Sequence, residues 1–526
     1  METSCIRQTL LPDTSQLFAD YLYNFDRVSQ FYGHSFSEPS GLDASARSVQ
    51  FPEARRKGIV DALREQNGDS PALRKLAEAG TVAVVTGQQV GLFSGPAYTI
   101  FKALTAVKLA EHLSEQGTPA VAVFWLATED HDLAEVDHAW VFNEHATPAK
   151  LSITNAVTNG GPVGNVSPAE IPIAELRSAL GNLPFAEEVV SEVADAYRPG
   201  VGLGAAFRAL LEKVLRGRGL LFLDPLAPGV RDIAADFLAE AAGRVPELVK
   251  ALRQRNGQLT EAGYHAQVHI DEDTSLLFLI GEHKRLPLRW REGRFSARDH
   301  SYGAAELKQE ASRLSPNALL RPVMQDYLLP TAAYIGGPSE IAYMAQAQVL
   351  YEKLLGRMPV IFPRNTFTLL DGRATKLLRR YKLSVPQVLD HQEKVKSAMA
   401  ARLIPADLSQ EFARLRSEVG GALEKLESGL KSFDPTLEAA ARKSAAKMLF
   451  QLDKISQKTA RETMRRDERA SQDAAYLMDL IYPHRHLQER FYSIVPFLAK
   501  HGLDLPERLL GMTQLACPDH MVRTLA

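Results

Sequence analysis

The stretch Thr81–Asp132, TVAVVTGQQVGLFSGPAYTIFKALTAVKLAEHLSEQGTPAVAVFWLATEDHD, restricts the fold more than any other. Val82–Val85 is a short β-branched run, and a glycine-bearing loop follows from Thr86 to Pro96. Ile100, Ala103, Leu104, Val107, Ala110 and Leu113 recur at helical spacing until Gly117 and Pro119 stop the pattern. Val121–Ala127 is a second apolar run, ending abruptly in Thr128-Glu129-Asp130-His131-Asp132. Strand, loop, helix, strand is a βαβ unit, and its two strands lie parallel. In such sheets ligands bind beyond the carboxyl ends of the strands. Both polar clusters, TGQQ and TEDHD, fall at those ends, so the chemistry is expected there.

A second unit of the same kind lies far along the chain. Tyr327–Ile335 is an apolar run ending in Gly336-Gly-Pro-Ser-Glu340, a helix is expected over Ile341–Leu355, and Met358–Phe362 is a strand closed by Pro363-Arg364-Asn365. Gly219–Asp224 reads as a third buried strand, also ending in an acid. An α/β core with a parallel sheet follows, and the two distant units predict a cleft between TGQQ/TEDHD and GGPSE/PRN. Residues 143–200 read as an insertion with a Gly/Asn-rich turn at Thr158–Gly161. Helices are expected over Phe207–Arg216 and Asp232–Arg253. A second insertion, 264–326, holds Ala266–Ile270, Leu276–Ile280 and Leu286–Trp290 as an antiparallel meander. The first 80 residues read as helical, with Leu17, Tyr21, Phe25 and Val28 as a packing stripe.

From Leu370 to Leu480 the character changes. Leu408, Phe412, Leu415, Val419, Ala422, Leu426, Leu430 and Phe433 step by three and four between charged positions. Asp434-Pro435 breaks the seam, and Leu437, Ala441, Met448, Leu452 and Ile455 resume it. This predicts an antiparallel helical hairpin whose first arm, about 28 residues, spans on the order of 40 Å. Such a stripe packs on its own partner helix or dimerises, and a homodimer is expected. The domains then read as a core over 1–370 with its insertions, a helical arm over 371–480, and a segment over 481–526 returning to the core.

Charge and cysteine usage narrow the function. The 526 residues carry 61 basic and 63 acidic side chains, a net charge of −2, which argues against a nucleic-acid footprint. Cys5 and Cys517 are the only cysteines, too few for a disulfide framework or a zinc knuckle. No signal-peptide core and no membrane-length apolar run is present, so a cytoplasmic protein is expected.

The candidate site residues fall in three groups. Thr86, Gly87, Gln88, Gln89, Gly91, Gly95 and Pro96 form a turn whose N–H groups, with the helix dipole, favour an anion such as phosphate or carboxylate. The pattern is neither GxxxxGK[ST] nor GxGxxG. A tight strand-to-helix connection would explain the glycines but not the amides of Gln88 and Gln89, which can hydrogen-bond a ligand. Glu129, Asp130, His131 and Asp132 could ligate a metal, serve as a general base or hold an amine, and their mutual repulsion should raise a carboxyl pKa. An acidic helix cap is the structural alternative. Zinc spacing is not evident, whereas Mg²⁺ with a nucleotide such as ATP would suit oxygen ligands. Gly337, Ser339 and Glu340 open a helix and could act as simple caps. Arg321, Arg364 and Asn365 lie near strand ends, where the arginines could pair with a carboxylate or phosphate.

TGQQVGLFSGPAYTIFKALTAVKLA, FWLATEDHDLAEVDH, RPVMQDYLLPTAAYIGGPSEIAYMAQ and FPRNTFTLLD, in this order and with a coiled-coil region, resemble the cysteine-adding enzyme family of bacillithiol biosynthesis. One departure is Ser339, where that family's pattern has glycine. The resemblance implies a Rossmann-type core like that of class I aminoacyl-tRNA synthetases, with connecting insertions and a coiled coil supporting a homodimer. It also implies a ligase that joins cysteine to the amino group of glucosaminyl-malate. Such a step needs an activated carboxylate, most simply through a nucleotide. A non-catalytic nucleotide-binding scaffold, dimerising through its coiled coil, is the competing reading.

Overall fold

The computed structural model describes residues 3–154, 160–281, 284–298, 300–390 and 392–525. The chain forms two compact units. One is Ser4–Thr368 with Glu489–Met521, and the other is built on Leu369–Gln488.

The first unit contains five parallel strands: β1 (Val82–Gln88), β2 (Ala120–Leu126), β3 (Leu221–Leu223), β4 (Thr331–Gly336) and β5 (Val360–Pro363). Their spatial order is β5-β4-β1-β2-β3, and every neighbouring pair is parallel. Every residue of β2 and all of β1 but Gln88 are buried, which is why both read as unbroken apolar runs. The register is continuous from Val82↔Ala120 to Gln88↔Leu126. From β1 the chain builds outward through helix α1 (Tyr98–Glu115) to β2 and then β3. It later returns to the other side of β1 through α2 (Leu320–Leu328), β4, α3 (Pro338–Leu355) and β5. The order therefore reverses between β1 and β4, and a crevice opens beyond the strand ends at such a point.

The insertions are more ordered than the sequence suggests. His138–Phe142 pairs antiparallel with Pro148–Ser152, and helices span Ile173–Leu180, Ala186–Ala196 and Leu203–Val214. Of the expected turn at Thr158–Gly161, Thr158 and Asn159 lie outside the described residues. Gly164 and Gly204 lie against Thr128, and a Cβ on Gly204 would come within 2.8 Å of Thr128 Cγ2. This packing covers the tip of β2 and leaves the β1/β4 side as the way in.

Three expected elements differ. Ala266–Ile270 forms no strand, because the Gln346 amide takes up both backbone groups of Val268, at 2.8 Å each. In its place, Arg294–Ala297, His300–Tyr302 and Leu314–Pro316 complete a five-stranded antiparallel sheet with Thr274–Ile280 and Arg285–Arg291. Tyr327 and Leu328 belong to α2, whose start is capped by Asn317 Oδ1 accepting from Leu319 and Leu320 N–H. Asp232–Arg253 lies in two helices, Pro228–Gly243 and Val245–Glu261, because Pro246 begins a new one.

In the second unit, α4 (Ala406–Phe433) and α5 (Pro435–Arg466) form an antiparallel hairpin. Asp434 is the break between them: its backbone is extended, and its carboxylate caps α5 by accepting the Thr436 N–H at 2.7 Å. Arg442 and Glu427 pair across the hairpin at 2.7 Å. Leu426, Phe433, Met448, Phe450 and Ile455 stay exposed. Among the described residues no helix is long and apolar enough to cross a membrane.

One buried acid in α2 gives the fold a pH dependence. Burial pushes the Asp326 carboxyl up to about 7, against the pull of Arg357. The unfolded chain ionises this group near its ordinary value of about 3.9, so the fold loses stability as pH rises from about 4 to about 7 and nothing further above that. Asp326→Asn should therefore gain on the wild type by up to about 4 kcal/mol across that window. Urea unfolding of both proteins from pH 4 to pH 9 reads the gap, and a gap that does not widen towards neutrality refutes the assignment.

A candidate active-site cleft at the strand-order reversal

Beyond the carboxyl ends of β1 and β4 lies a cleft of about 300 Å³. The tip of β1 supplies Gly87, Gln88 and Gln89, and the chain beyond β2 supplies Asp130. The start of α3 supplies Gly337, Ser339 and Glu340. Tyr98 on α1, Arg321 on α2, Tyr343 on α3, Arg364 after β5 and Arg490 complete its walls. A hollow of about 430 Å³ beside Ala120–Ala122 is larger, but it sits at the amino ends of the strands. The two strand–loop–helix units thus meet in one cleft.

Beneath the cleft, Lys102 of α1 is sealed from solvent. Its Nζ donates to the Gly87 carbonyl at 2.6 Å and to Gln88 Oε1 at 3.2 Å, and it pairs with Glu340 Oε2 at 2.6 Å. Glu340 also accepts from Tyr334 Oη at 2.6 Å and from the Gly337 N–H at 2.8 Å. Burial would raise the Glu340 carboxyl, but Lys102 and these donors hold it below the ordinary range. Burial lowers the Lys102 ammonium, with Glu340 opposing. Gly87 has no room for a side chain: a Cβ there would lie 2.8 Å from the Trp125 carbonyl oxygen of β2.

TEDHD is dispersed rather than gathered. Only Asp130 lines the cleft. Its Oδ2 accepts from Gln89 Nε2 at 2.8 Å and its Oδ1 from the His131 N–H at 2.7 Å. Burial works against its charge, yet these bonds and Arg285 hold the carboxyl below the ordinary range. Glu129 is buried against Arg231 at 2.8 Å, and burial raises its carboxyl against Arg231 and Arg285. Its raised pKa comes from desolvation, not from the expected repulsion among neighbours. His131 is exposed, with Nδ1 3.3 Å from Arg285 Nη1, and Asp132 caps the turn Leu133–Glu135 through the Ala134 N–H.

The rest of the glycine loop, Gly91–Pro96, does not open onto the cleft. Phe93, Ser94 and Gly95 take φ values of 50°, 75° and 61°, and Ser493 Oγ donates to the Phe93 carbonyl at 2.7 Å to hold them. Leu92 N–H donates to Val136 O, Gly95 N–H to Leu92 O and Ala97 N–H to Tyr492 O, so these donors are spent inside the protein. Gly91, Gly95 and Pro96 serve that connection. The anion cradle expected at the start of α1 is absent among these donors, and the helix that opens onto the cleft is α3. Thr86 is buried with Oγ1 donating to Ile335 O at 3.0 Å, and it ties β1 to β4.

The cations differ in how far they are engaged. Arg364 Nη2 pairs with buried Glu489 at 2.6 Å, and its guanidinium lies 5.0 Å from the Tyr98 ring centre. Asn365 is outside the cleft, its amide satisfied by the Gln514 backbone in both directions. Arg321 donates to Tyr343 Oη at 2.9 Å, while its buried Nε has no hydrogen-bond partner. Arg490 is exposed at the rim and forms no ion pair among the described residues. Both carboxylates of the cleft are engaged by the protein, whereas Arg321 and Arg490 retain donors, so the cleft favours an anion. Among the described residues no three His, Cys, Asp or Glu side chains are placed to hold a metal.

Sequence reasoning did not single out Lys102, Tyr98, Tyr343 or Arg490. Lys102 had a signal: it is a charge on the buried stripe of α1, one turn beyond Tyr98. Arg490 had none, since only the return of the distant segment Glu489–Met521 to the first unit places it.

A sheet in this order, with its cleft at the reversal, defines a Rossmann-type α/β protein, here carrying a helical coiled-coil unit. Residues 1–365 match the family description "Bacillithiol biosynthesis BshC, N-terminal Rossmann-like domain", and 367–525 match "Bacillithiol biosynthesis BshC, C-terminal coiled-coil domain". A relative from Solibacter usitatus (strain Ellin6076), named "Putative cysteine ligase BshC", is 50% identical over 99% of both chains. Its namesake in Koribacter versatilis (strain Ellin345) is 35% identical over 99% of both, and that in Bacillus cereus (strain G9842) is 26% identical over 94% of this chain and 95% of its own. The chain belongs to the BshC family of bacillithiol biosynthesis.

The Lys102–Glu340 pair can be tested directly. Lys102→Met strands a buried carboxylate and should cost about 3–5 kcal/mol of stability, much of which Lys102→Met/Glu340→Gln should recover. Chemical unfolding of the three proteins measures this, and equal losses in single and double variants would show that charge compensation is not what the pair provides.

Proposed function

We propose that the protein is a ligase joining the carboxyl of cysteine to the amino group of glucosaminyl-malate, with the carboxyl activated by a nucleotide such as ATP. The single observation that carries this reading is the cleft itself, which combines two engaged carboxylates, two neutral amides and arginines with donors to spare. The relatives' name, cysteine ligase, supplies the amino acid.

Each group has a role in this reaction. Arg321 and Arg490 hold anionic oxygens, those of malate or of a phosphate, while Arg364 is largely balanced by Glu489. Asp130 stays ionised and holds the substrate ammonium. An amine must lose its proton before it attacks, and Asp130, the acid of TEDHD that lines the cleft, accepts it. The amine nitrogen then bonds to the activated carbonyl carbon, and the nucleotide's phosphate oxygen leaves. A magnesium ion would enter with the nucleotide phosphates.

Mass spectrometry of purified protein with cysteine, glucosaminyl-malate and ATP tests the proposal. Conjugate is expected, with AMP marking an adenylate route and ADP an acyl phosphate. Asp130→Asn and Gln88→Ala should each lose product while remaining folded. Absence of conjugate from the wild type would favour the scaffold reading, and full activity in both variants would sink the residue roles.

The reading includes a homodimer formed through α4 and α5, supported by exposed Met448, Phe450 and Ile455. Light scattering should give twice the chain mass for the wild type and a shift to monomer for Phe450→Asp. A monomeric wild type would discard the dimer.

A further inference from the structure

Gln88 and Gln89 both line the cleft, and in each the chemistry of the partners fixes which end of the amide points where. Gln88 meets the Lys102 ammonium at 3.2 Å. An ammonium only donates, so the atom facing it is the amide oxygen. The nitrogen of Gln88 gives one N–H to Tyr98 Oη at 3.1 Å, and the second N–H has no partner among the described residues. Gln89 is held the opposite way. Its nitrogen donates to Asp130 Oδ2 at 2.8 Å and to the Glu135 carboxylate. Carboxylates only accept, so both N–H groups are used. The Gln89 oxygen accepts from no described residue. Two adjacent amides of identical chemistry are thereby locked in opposite senses, one showing a donor and the other an acceptor.

We propose that Gln88 and Gln89 form a fixed donor–acceptor pair that recognises a primary ammonium next to an acceptor oxygen, the ammonium on Gln89 Oε1 and the oxygen on Gln88 Nε2. An α-amino acid and a 2-amino sugar both carry that arrangement. The pair deepens the ligase reading, and rests on it only for which substrate is meant. Lys102 and Asp130 act here as positioning residues, since each sets the sense of one amide. A carboxylate is the stronger acceptor beside Arg321 and Arg490, so the α-amino acid is the expected occupant.

Calorimetric titration of the full chain with matched ligands tests the pair. One arm compares L-cysteine with 3-mercaptopropionate, which lacks the ammonium. The other compares glucosaminyl-malate with its N-acetyl form. The wild type should prefer the ammonium-bearing member of one arm by at least about tenfold, the scale of one hydrogen bond to a charged group. The arm that discriminates identifies the occupant. Gln89→Met should abolish the preference while binding the ammonium-free compound within about twofold of wild type. A wild type without preference in either arm, or a Gln89→Met protein that keeps the full ratio, overturns the pair. Conjugate formed alongside an unchanged ratio removes only the pair. No conjugate, with the ratio lost in Gln89→Met, removes the ligase reading and leaves the pair standing.

Discussion

The Lys102 ammonium is sealed from water with three partners: the Gly87 carbonyl, the Gln88 amide oxygen and the Glu340 carboxylate. These partners come from two strand–helix units far apart in the chain. Gly87 and Gln88 end β1, Lys102 rides on α1, and Glu340 opens α3 while binding Tyr334 of β4. Two βαβ units separated by some two hundred residues of chain are tied together at one buried charge. Taking both ions out of water is costly, and a well-packed apolar substitute would stabilise the fold as well or better. What the pair supplies is placement. It fixes the distance between the two strand tips, turns one amide, and keeps a carboxylate charged at the floor of the cleft.

The same balance explains how a nearly neutral chain makes a cation-rich cleft. Glu340 is neutralised from within by Lys102 and Asp130 by the Arg285 charge, with the Gln89 amide donating to Asp130. Arg364 is matched by Glu489. The unbalanced remainder is Arg321 and Arg490. Net charge averaged over 526 residues conceals this, because the relevant quantity is the local difference between engaged and unengaged groups.

The parts of the fold that depend on local pattern were legible. Val82–Val85, the stripe on α1 and the apolar Val121–Ala127 specify strands and helix without tertiary help. Asp434-Pro435 marks the turn of the hairpin for the same reason, since one residue caps and the other cannot continue a helix. Tertiary competition erased other signals. Val268 lost its strand to the Gln346 side chain, and Tyr327 was absorbed into α2 by the Asn317 cap. In the site, the amides of β1 and the start of α3 were readable as polar groups at strand ends. The fate of each acid was not. Glu129, Asp130 and Asp132 look alike in sequence, yet one meets Arg231, one the cleft and one a turn, because their partners arrive from residues 231, 89 and 134.

The returning segment Glu489–Met521 gives the protein a temporal order. Glu489 neutralises Arg364, Arg490 forms one wall, and Gln514 locks Asn365. All three are made after the whole helical hairpin has been synthesised. Domains tend to fold as they emerge from the ribosome, amino-terminal parts first. A nascent chain can therefore assemble its sheet and bury Lys102 long before its cleft has a complete rim. The cleft is finished only once Glu489–Met521 has been made, so a chain cut short before that segment would hold the amides, the acid and Arg321 without Arg490.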